Sequence, residues 1–449
     1  MNFLSKLKNV HFLSLMGTGG MSVLTFFFTA ILFRSLSVRD LGIWFFFQTY
    51  LSFLDTFRQG FLTTAFIKFF AGTSEERGHE VIGSTWFIAS CITGGFVLLN
   101  IPFFFFLKDV GDDSLRYFFK YFSINLLCSL PMILAMCIAQ AKLRFDNLLY
   151  IRMFQVLLLT GLLCLLIFFK KTTLDHLMYA NIVASLATSL LCILMRWSGI
   201  IYFFRQKKET IREIFNFGKY TVGSSIGSNL FGLTDTTIMN FMIGPSALAI
   251  YNLGKRLLEL VEIPLRSFTA TALPSLAAAF NRGNKEELIA IMKKYIGMVT
   301  IGLIPVLIVS YFIAPFAMGI IGGGQYKDTV AGGMAVVIFR LYLSFSLLSP
   351  PDRFMAVALD AIHKPQVNFY KLIVMLLINL ITDVIGVYIF GNVYGIVVVT
   401  VFPVLAAILI SNHHLQKYAR FSWLSVYTLG YTALRELIYQ NLPWKKSSP

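Results

Sequence analysis

Stretches of about twenty mostly apolar residues follow one another along almost the whole chain. A helix needs about 20 such residues to cross a bilayer, and inside lipid it satisfies its own backbone hydrogen bonds. With 57% hydrophobic and 13% charged residues, the chain offers too little polar surface for a water-soluble domain. The pattern predicts an all-α polytopic membrane protein.

The apolar runs predict twelve transmembrane helices with short connections. A basic cytoplasmic connection at 201–215 separates an N-terminal six-helix lobe, 1–200, from a C-terminal six-helix lobe, 216–412. A cytoplasmic or interfacial tail, 413–449, follows, in which 421–439 fits either the headgroup layer or a partial further span. The predicted spans are 10–33, 41–62, 81–107, 117–139, 148–169, 176–197, 216–243, 246–270, 295–318, 332–358, 369–390 and 393–412.

The basic residues are distributed unequally between the two sides of the predicted membrane. Most of the 38 Lys and Arg residues fall in segments that share a side with the N-terminus. These segments include Lys6 and Lys8 at the start and Lys445 and Lys446 at the end. Because cytoplasmic loops carry the excess of positive charge, we expect both termini in the cytoplasm.

The two halves of the chain show a faint repeat. Leu41-Gly-Ile-Trp44 opens predicted helix two, and Leu248-Ala-Ile-Tyr251 opens predicted helix eight 207 residues later. At this offset Asp55 corresponds to Glu262. Both halves begin on the same side, so the repeats are parallel, a known transporter arrangement. We expect two pseudo-symmetric lobes around a central cavity that holds the binding site.

A stripe of polar and charged residues follows one face of predicted helix eight. At about 100° per residue, its members occupy a sector of roughly 80°. They are Tyr251, Lys255, Glu259, Glu262 and Arg266. Such charges cost about 2.5–3.5 kcal/mol each at bilayer depth, so they normally face protein or water.

The stripe has two interpretations. It lines a polar cavity, or its i,i+4 pairs Lys255–Glu259 and Glu262–Arg266 neutralise each other in packing between the lobes. We favour the cavity, because packing alone is achieved with Ser, Thr or Gly contacts. Arg256 points to an adjacent face, and Pro264 is expected to bend the helix.

Two segments resemble bacterial polysaccharide flippases of the O-antigen type. The first is Ile31-Leu-Phe-Arg-Ser-Leu-Ser-Val-Arg-Asp-Leu-Gly-Ile-Trp44, in which an Arg ends helix one and a Gly near an aromatic residue begins helix two. The second is Gly244-Pro-Ser-Ala-Leu-Ala-Ile-Tyr-Asn-Leu-Gly-Lys-Arg256, followed by Ala272-Leu-Pro-Ser275 and 281–287. Ala249 departs from the Gly expected there. These flippases belong to the multidrug/oligosaccharidyl-lipid/polysaccharide exporter superfamily.

The resemblance implies a flippase rather than an enzyme, without a cofactor. It would move an oligosaccharide, linked through diphosphate to a polyprenol, from the inner to the outer leaflet by alternating access. The implied location is the bacterial inner (plasma) membrane. Implied partners are the lipid-linked oligosaccharide, the bilayer and other membrane proteins of polysaccharide assembly; no nucleic-acid-binding module is evident.

Cations at membrane depth are the candidates for holding the diphosphate. A guanidinium can grip a phosphate with two parallel hydrogen bonds. Arg256 lies on the motif shared with the flippases, and Tyr251 is the first choice for stacking on a sugar ring. The alternative for each cation is snorkelling to an interface. The candidate substrate-binding residues are Arg256, Lys255, Arg266, Arg340, Arg353, Arg58 and Tyr251.

Acidic residues in the spans are candidates for coupling transport to a proton or sodium ion. Asp235 is the first choice, because hydroxyl side chains surround it in Gly232-Leu-Thr-Asp-Thr-Thr237. The other candidates are Glu259, Glu262 and Asp55, whereas Asp352 is expected to pair with a cation. Structural ion pairs and helix caps are the alternative. We expect no metal site.

The sequence leaves two other functions as alternatives. A cation-coupled drug antiporter of the same superfamily needs acids without clustered cations, so the cations at depth disfavour it. A membrane polysaccharide polymerase or ligase usually needs a large outer loop, and the longest one here, about 108–116, is short.

Overall fold

The structure is a computed structural model that describes the backbone of residues 10–441. Side chains are described for residues 20–436, except positions 220, 224, 225, 228, 260, 264, 267 and 270. Four of the lysines that predict the membrane orientation lie outside the described residues: Lys6, Lys8, Lys445 and Lys446. Within residues 10–441 the regular structure is entirely helical, which confirms the all-α class.

Sixteen α-helices follow one another in the described part of the chain. They are α1 Val10–Ser35, α2 Val38–Phe70, α3 Glu75–Phe105, α4 Asp113–Ala141, α5 Phe145–Phe168, α6 Leu174–Leu194, α7 Lys208–Met242, α8 Pro245–Val261, α9 Ile263–Asn281, α10 Lys285–Gly322, α11 Val330–Phe345, α12 Ser349–Ala361, α13 Pro365–Phe390, α14 Tyr394–Val399, α15 Val401–Tyr418 and α16 Leu424–Asn441. Each predicted span coincides with one helix or with a broken pair: α8–α9, α11–α12 or α14–α15.

Two of these breaks fall at prolines. Helix α8 ends at Val261 and α9 begins at Ile263, with Pro264 in its first turn, so the helix is interrupted where the bend is expected. Helix α11 ends at Phe345, and α12 carries Pro350 in its first turn. Proline cannot donate to the preceding turn and crowds it sterically, so the helix is interrupted there.

Eight stretches in the described residues are long and apolar enough to cross a membrane by length and composition. They are 75–105, 113–141, 145–168, 174–194, 285–325, 330–361, 365–390 and 394–418. The other predicted spans are α1, which continues the apolar pattern over Gly20–Ser35, and α2, α7 and α8–α9. Polar residues lower the hydropathy of these last three elements, and most of the candidate site residues lie on them.

Contacts divide the chain into two compact units, 1–249 and 250–449. This boundary corrects the expectation that the second lobe starts at 216 after a connection at 201–215. Helix α7 belongs to the first unit because it packs along α2. The hydroxyl of Tyr50 hydrogen-bonds to that of Thr237 at 2.8 Å, and the amide of Asn229 donates to Thr56 at 2.8 Å.

The start of α7 and Lys207 just before it are fastened to the start of α3 by charged residues. Arg77 donates to Thr210 at 2.5 Å and to Glu213 at 2.5 Å. Glu80 accepts hydrogen bonds from Arg77 and from Lys207. The hydrogen bond to Glu80 raises the pKa of Lys207 above its ordinary value, because it favours the ammonium form.

Helix α16 lies along α10 in the second unit. Lys293 donates to Ser425 at 3.0 Å, and an added Cβ on Gly297 would collide with the backbone at Val426 and Gly430. Further along, Gly302 faces Leu434. The partners advance together along both helices, so α16 runs parallel to α10. Of the two alternatives for 421–439, a partial further span fits this packing better than a helix in the headgroup layer.

Candidate functional site

The charged residues of the stripe on α8 and α9 are exposed or half-buried in the second unit. The side chains of Glu259 and Arg266 are 44% and 66% exposed. Arg256 pairs with Glu259 at 2.9 Å, and Arg266 approaches Glu262 at 3.7 Å. Of the two expected pairs, Glu262–Arg266 therefore forms, whereas Glu259 pairs with Arg256 instead of Lys255.

Lys255 is the cation of the stripe that forms no ion pair with a carboxylate among the described side chains. Its Nζ lies 3.5 Å from the Tyr251 hydroxyl and 5.2 Å from the centre of that ring. No carboxylate among the described side chains lies within 4.0 Å of it. The stripe is therefore only partly self-neutralised, and it keeps a positive charge at Lys255.

Tyr251 itself is buried. Its side chain is 3% exposed, and its ring packs against Tyr342 of α11 with the ring centres 6.0 Å apart. The ring has no open face for a sugar in this structure, which corrects the expectation that it provides a stacking surface. Instead, Tyr251 anchors α8 on α11 and supports the Lys255 side chain.

Helix α2 carries a second polar stripe, which the sequence analysis missed apart from Asp55. Gln48, Ser52, Asp55 and Gln59 recur at helical spacing, and all four are at least partly exposed. Helices α2 and α8 begin at Val38 and Pro245, again 207 residues apart. At this offset the four residues correspond in order to the charged members of the stripe, Lys255, Glu259, Glu262 and Arg266. Applying the same 207-residue offset to Lys255, Glu259 and Arg266 would have identified Gln48, Ser52 and Gln59 from the sequence.

Arg58 is enclosed in the first unit. Its side chain is 0% exposed. It donates to the Leu126 carbonyl at 2.8 Å and to the Ser129 hydroxyl at 2.8 Å, both on α4, and it pairs with Asp55. The guanidinium neither reaches an interface nor faces an open space. The expectation that Arg58 binds substrate is therefore wrong for this structure, because protein groups surround it.

The acids proposed for ion coupling have different surroundings. Asp55 keeps a side chain that is 26% exposed while Arg58 holds one of its oxygens. Asp235 is buried on α7 at 8% exposure. The neighbouring Thr234 and Thr237 hydroxyls donate to carbonyls one turn earlier on α7.

The two arginines of the broken tenth span do not join the stripe. Tyr342 faces α8, whereas Arg340 projects from the opposite face of α11 and donates from Nε to the Tyr311 carbonyl at 3.2 Å. Arg353 lies exposed on α12. Its neighbour Asp352 pairs at 3.0 Å with Lys371, which is 6% exposed. This confirms that Asp352 has a cationic partner.

The arrangement can bind an anion without a metal or a nucleophile. In the second unit, Arg256, Lys255 and Arg266 supply ammonium and guanidinium donors on one helix pair. In the first unit, α2 carries amide and hydroxyl groups of its own. Guanidinium groups match the geometry of phosphate oxygens, and amides and hydroxyls both donate to and accept from sugar hydroxyls. In the described residues no three His, Cys, Asp or Glu side chains cluster as metal ligands do.

Solved structures of membrane transporters share this fold. A multidrug resistance MATE family transporter of the MOP superfamily, in an inward-facing conformation, matches with a TM-score of 0.70 and 13% identity over 94% of this chain and 96% of its own. The lipid II flippase MurJ, in an inward closed conformation, matches with a TM-score of 0.72 and 15% identity over 95% and 92%. The chain is therefore a multi-pass membrane protein with the fold of this superfamily.

Sequence comparison identifies the family. Residues 31–331 match the family described as polysaccharide biosynthesis protein. The chain belongs to that family. It is also 21% identical over 228 residues to the probable low-salt glycan biosynthesis flippase Agl15 of Haloferax volcanii. That match spans 49% of this chain and 47% of the relative, so it covers about half of each.

Proposed function

We propose that this protein moves a polyprenyl-diphosphate-linked oligosaccharide from the inner to the outer leaflet by alternating access. The transfer serves cell-surface polysaccharide assembly and changes no covalent bond. The family, the probable glycan flippase among its relatives and the fold shared with a lipid II flippase support this proposal. We place it in the bacterial plasma membrane, with both termini cytoplasmic and other assembly proteins as neighbours.

The positive charge that remains on the α8–α9 stripe is the observation that carries the proposal. An uncompensated charge on a spanning helix is costly, so its retention indicates a function. Lys255 has no carboxylate partner among the described side chains, and Arg256 and Arg266 flank it. A diphosphate supplies the missing negative charge, because charge-assisted hydrogen bonds to phosphate are strong.

The polar stripe on α2 is suited by its own chemistry to contact sugar hydroxyl groups. Gln48, Ser52 and Gln59 can exchange hydrogen bonds with hydroxyl groups without adding charge. The polyprenyl tail stays among the lipids, because moving it into water exposes apolar surface. We assign ion coupling to Asp55, Asp235, Glu259 and Glu262, since carboxyl groups in spans are the usual proton and cation carriers.

The test is leaflet transfer in vesicles that contain the purified protein and a fluorescent polyprenyl-diphosphate oligosaccharide. We expect the labelled sugar to become accessible in the opposite leaflet without forming a new glycosidic bond. Lys255→Ala and Arg256→Ala should each slow transfer by on the order of tenfold, the size of one lost charge-assisted hydrogen bond. The matched control is Arg282→Gln, which removes an exposed cation just beyond the end of α9.

Three results would overturn the proposal. The first is no transfer above that of protein-free vesicles, and the second is transfer that is the same in Lys255→Ala and Arg256→Ala as in wild type. The third is a product with a new glycosidic bond, which would identify an enzyme. Export of a cationic dye without transfer of the lipid-linked sugar would support the antiporter instead.

A further inference from the structure

Pro315 leaves a backbone carbonyl without its helical partner in α10. The carbonyl of Tyr311 lies four residues earlier, and proline has no N–H to donate to it. In a spanning helix an unsatisfied carbonyl is costly, so another donor must replace the missing one. Arg340 of α11 does so, with Nε donating to that carbonyl at 3.2 Å.

This bond uses only one of the five N–H groups of Arg340. The guanidinium also lies over the Tyr311 ring, 4.5 Å from its centre. No carboxylate among the described side chains lies within 4.0 Å of Arg340. Its Nη atoms donate no hydrogen bond to the described residues. The Tyr311 carbonyl thus fixes the position of the guanidinium, while the two Nη atoms of Arg340 stay available. Together these two nitrogens form the fork that can bind a phosphate with two hydrogen bonds.

An apolar groove lies directly beside this fork. It has a volume of about 220 Å³. Its lining residues come from α10 and from the α11 segment that leads into α12; they are Ile304, Leu307, Ile308, Tyr311, Phe312, Leu343, Ser344 and Leu347. Phe312 and Ile308 are 74% and 53% exposed, so the groove opens on the outer surface of a spanning helix, where lipid chains are the surrounding solvent.

The direction of the groove matches a lipid with its head at Arg340. Arg340 lies ten residues, about 15 Å, from the start of α11 at Val330. Leu343 and Ser344 lie further along α11, and Leu347 lies just beyond its end, toward the middle of the predicted span. The charged end is therefore nearer the membrane surface, and the apolar part extends below it. With the predicted orientation, this is the outer leaflet.

We propose that Arg340 and this groove form a docking site for the polyprenyl phosphate carrier of the transported oligosaccharide. A phosphate accepts hydrogen bonds from the Nη atoms, and the first isoprene units lie in the groove. This inference rests on the proposed function and adds a lipid-binding site to it. Charge complementarity selects an anionic lipid, and the small volume of the groove favours one chain over the paired chains of a phospholipid.

The site replaces the role expected for Arg340 in the sequence analysis. There it was grouped with the cations of a central binding site, but its side chain projects away from the α11 face that packs on α8. At this position the Arg340 guanidinium would bind the phosphate of a carrier that lies in the surrounding lipid.

The test is photocrosslinking of the full-length purified protein in nanodiscs of neutral lipid. The probe is undecaprenyl phosphate with a photoactivatable group in its first isoprene units. We expect label on peptides containing 304–312 and 340–347. Arg340→Gln should weaken binding by about tenfold, as expected for one lost charge-assisted hydrogen bond. Ser344→Phe, which fills the groove and keeps the cation, should reduce labelling similarly, whereas Arg353→Gln should not.

Competition and transport separate the possible outcomes. Undecaprenyl diphosphate should displace the probe, and phosphatidylglycerol at the same concentration should not. Equal displacement by phosphatidylglycerol, or labelling unchanged in both Arg340→Gln and Ser344→Phe, overturns the docking site even when vesicle transfer is intact. Lack of probe binding anywhere on the protein, together with absent vesicle transfer, overturns the proposed function as well.

Discussion

Arg58 lies within a spanning helix, where protein groups accept hydrogen bonds from its two terminal nitrogens. Its partners are the Asp55 carboxylate on its own helix and the Leu126 carbonyl and Ser129 hydroxyl of α4. Pairing a buried charge offsets its desolvation, but removing one partner leaves the other uncompensated. We therefore interpret Arg58 as the residue that positions Asp55 and fastens α2 to α4.

Replacing Arg58 should destabilise the protein strongly. We expect Arg58→Ala to lower the free energy of unfolding by about 3–5 kcal/mol, as for other broken buried pairs. The measurement is the melting temperature of the purified protein in detergent. Arg144→Gln is the matched control, because Arg144 pairs with Asp146 at 3.1 Å while its side chain is 59% exposed, so its loss should matter little. Equal melting of both variants would contradict the role of Arg58.

The charged stripe predicts a pattern of water access at single residues. We expect cysteines placed singly at 255, 259, 262 and 266 to react with a membrane-impermeant thiol reagent from at least one side. The five native cysteines are free thiols, so they must be replaced first. Leu253→Cys on the same helix is the control, since Leu253 is 0% exposed. If all four stripe positions are as unreactive as 253 from both sides, the stripe faces protein rather than water.

Single residues also show how far sequence patterns reach. Helical spacing predicts that Lys255, Glu259, Glu262 and Arg266 share a face, because a regular helix has 3.6 residues per turn. Spacing does not choose between i,i+3 and i,i+4 partners, which are both within reach. Glu259 pairs with Arg256 rather than Lys255, and the position of the remaining charge follows from that choice.

At the scale of helices, α2 and the α8–α9 pair are equivalent elements with different chemistry. They begin 207 residues apart, and their polar stripes correspond residue by residue. Helix α2 continues through this region, whereas α8 ends at Val261 and α9 restarts at Ile263. The first stripe is mainly neutral and the second mainly charged.

Helix α16 should be required for a stable second unit. An added methyl group at Gly297 would collide with the α16 backbone, whereas one at Gly302 would lie 4.0 Å from the Leu434 side chain. We expect Gly297→Ala to destabilise the purified protein by about 1–3 kcal/mol, as overpacking does, and Gly302→Ala to have little effect. Melting temperatures in detergent provide the comparison. If Gly297→Ala melted at the same temperature as wild type and Gly302→Ala, α16 would not pack on α10 in this way.

At the scale of the whole molecule, the distribution of Lys and Arg predicts the orientation in the membrane. We expect alkaline phosphatase fused after Arg205 to be inactive, because that segment is cytoplasmic, and fused after Asp328 to be active. The positive-inside rule is the physical basis. Fusion enzyme activity in intact cells, normalised to protein amount, is the measurement. The reverse result would put the docking groove beside Arg340 in the inner leaflet.

The grouping of helices into compact units depended on contacts that periodicity does not encode. Twelve spans follow from apolar length, because the bilayer imposes one length on every crossing. The longest polar connection indicated a boundary near 201–215, yet α7 packs along α2 and moves the boundary to 249. A long polar loop indicates that the chain is exposed there. The boundary between compact units depends instead on which helices pack together.

Patterns along the chain were sufficient for the class, the spans, the repeat and the face that carries charge, because each follows from local geometry and from the cost of polar groups in lipid. Tertiary structure decided the roles of individual cations. Arg58 is enclosed by α4, Lys255 keeps its charge because Glu259 has another partner, and Arg340 joins a carbonyl released by Pro315. Partners that lie far apart in sequence make these choices, because the energy of a charge in a membrane depends on what surrounds it in space.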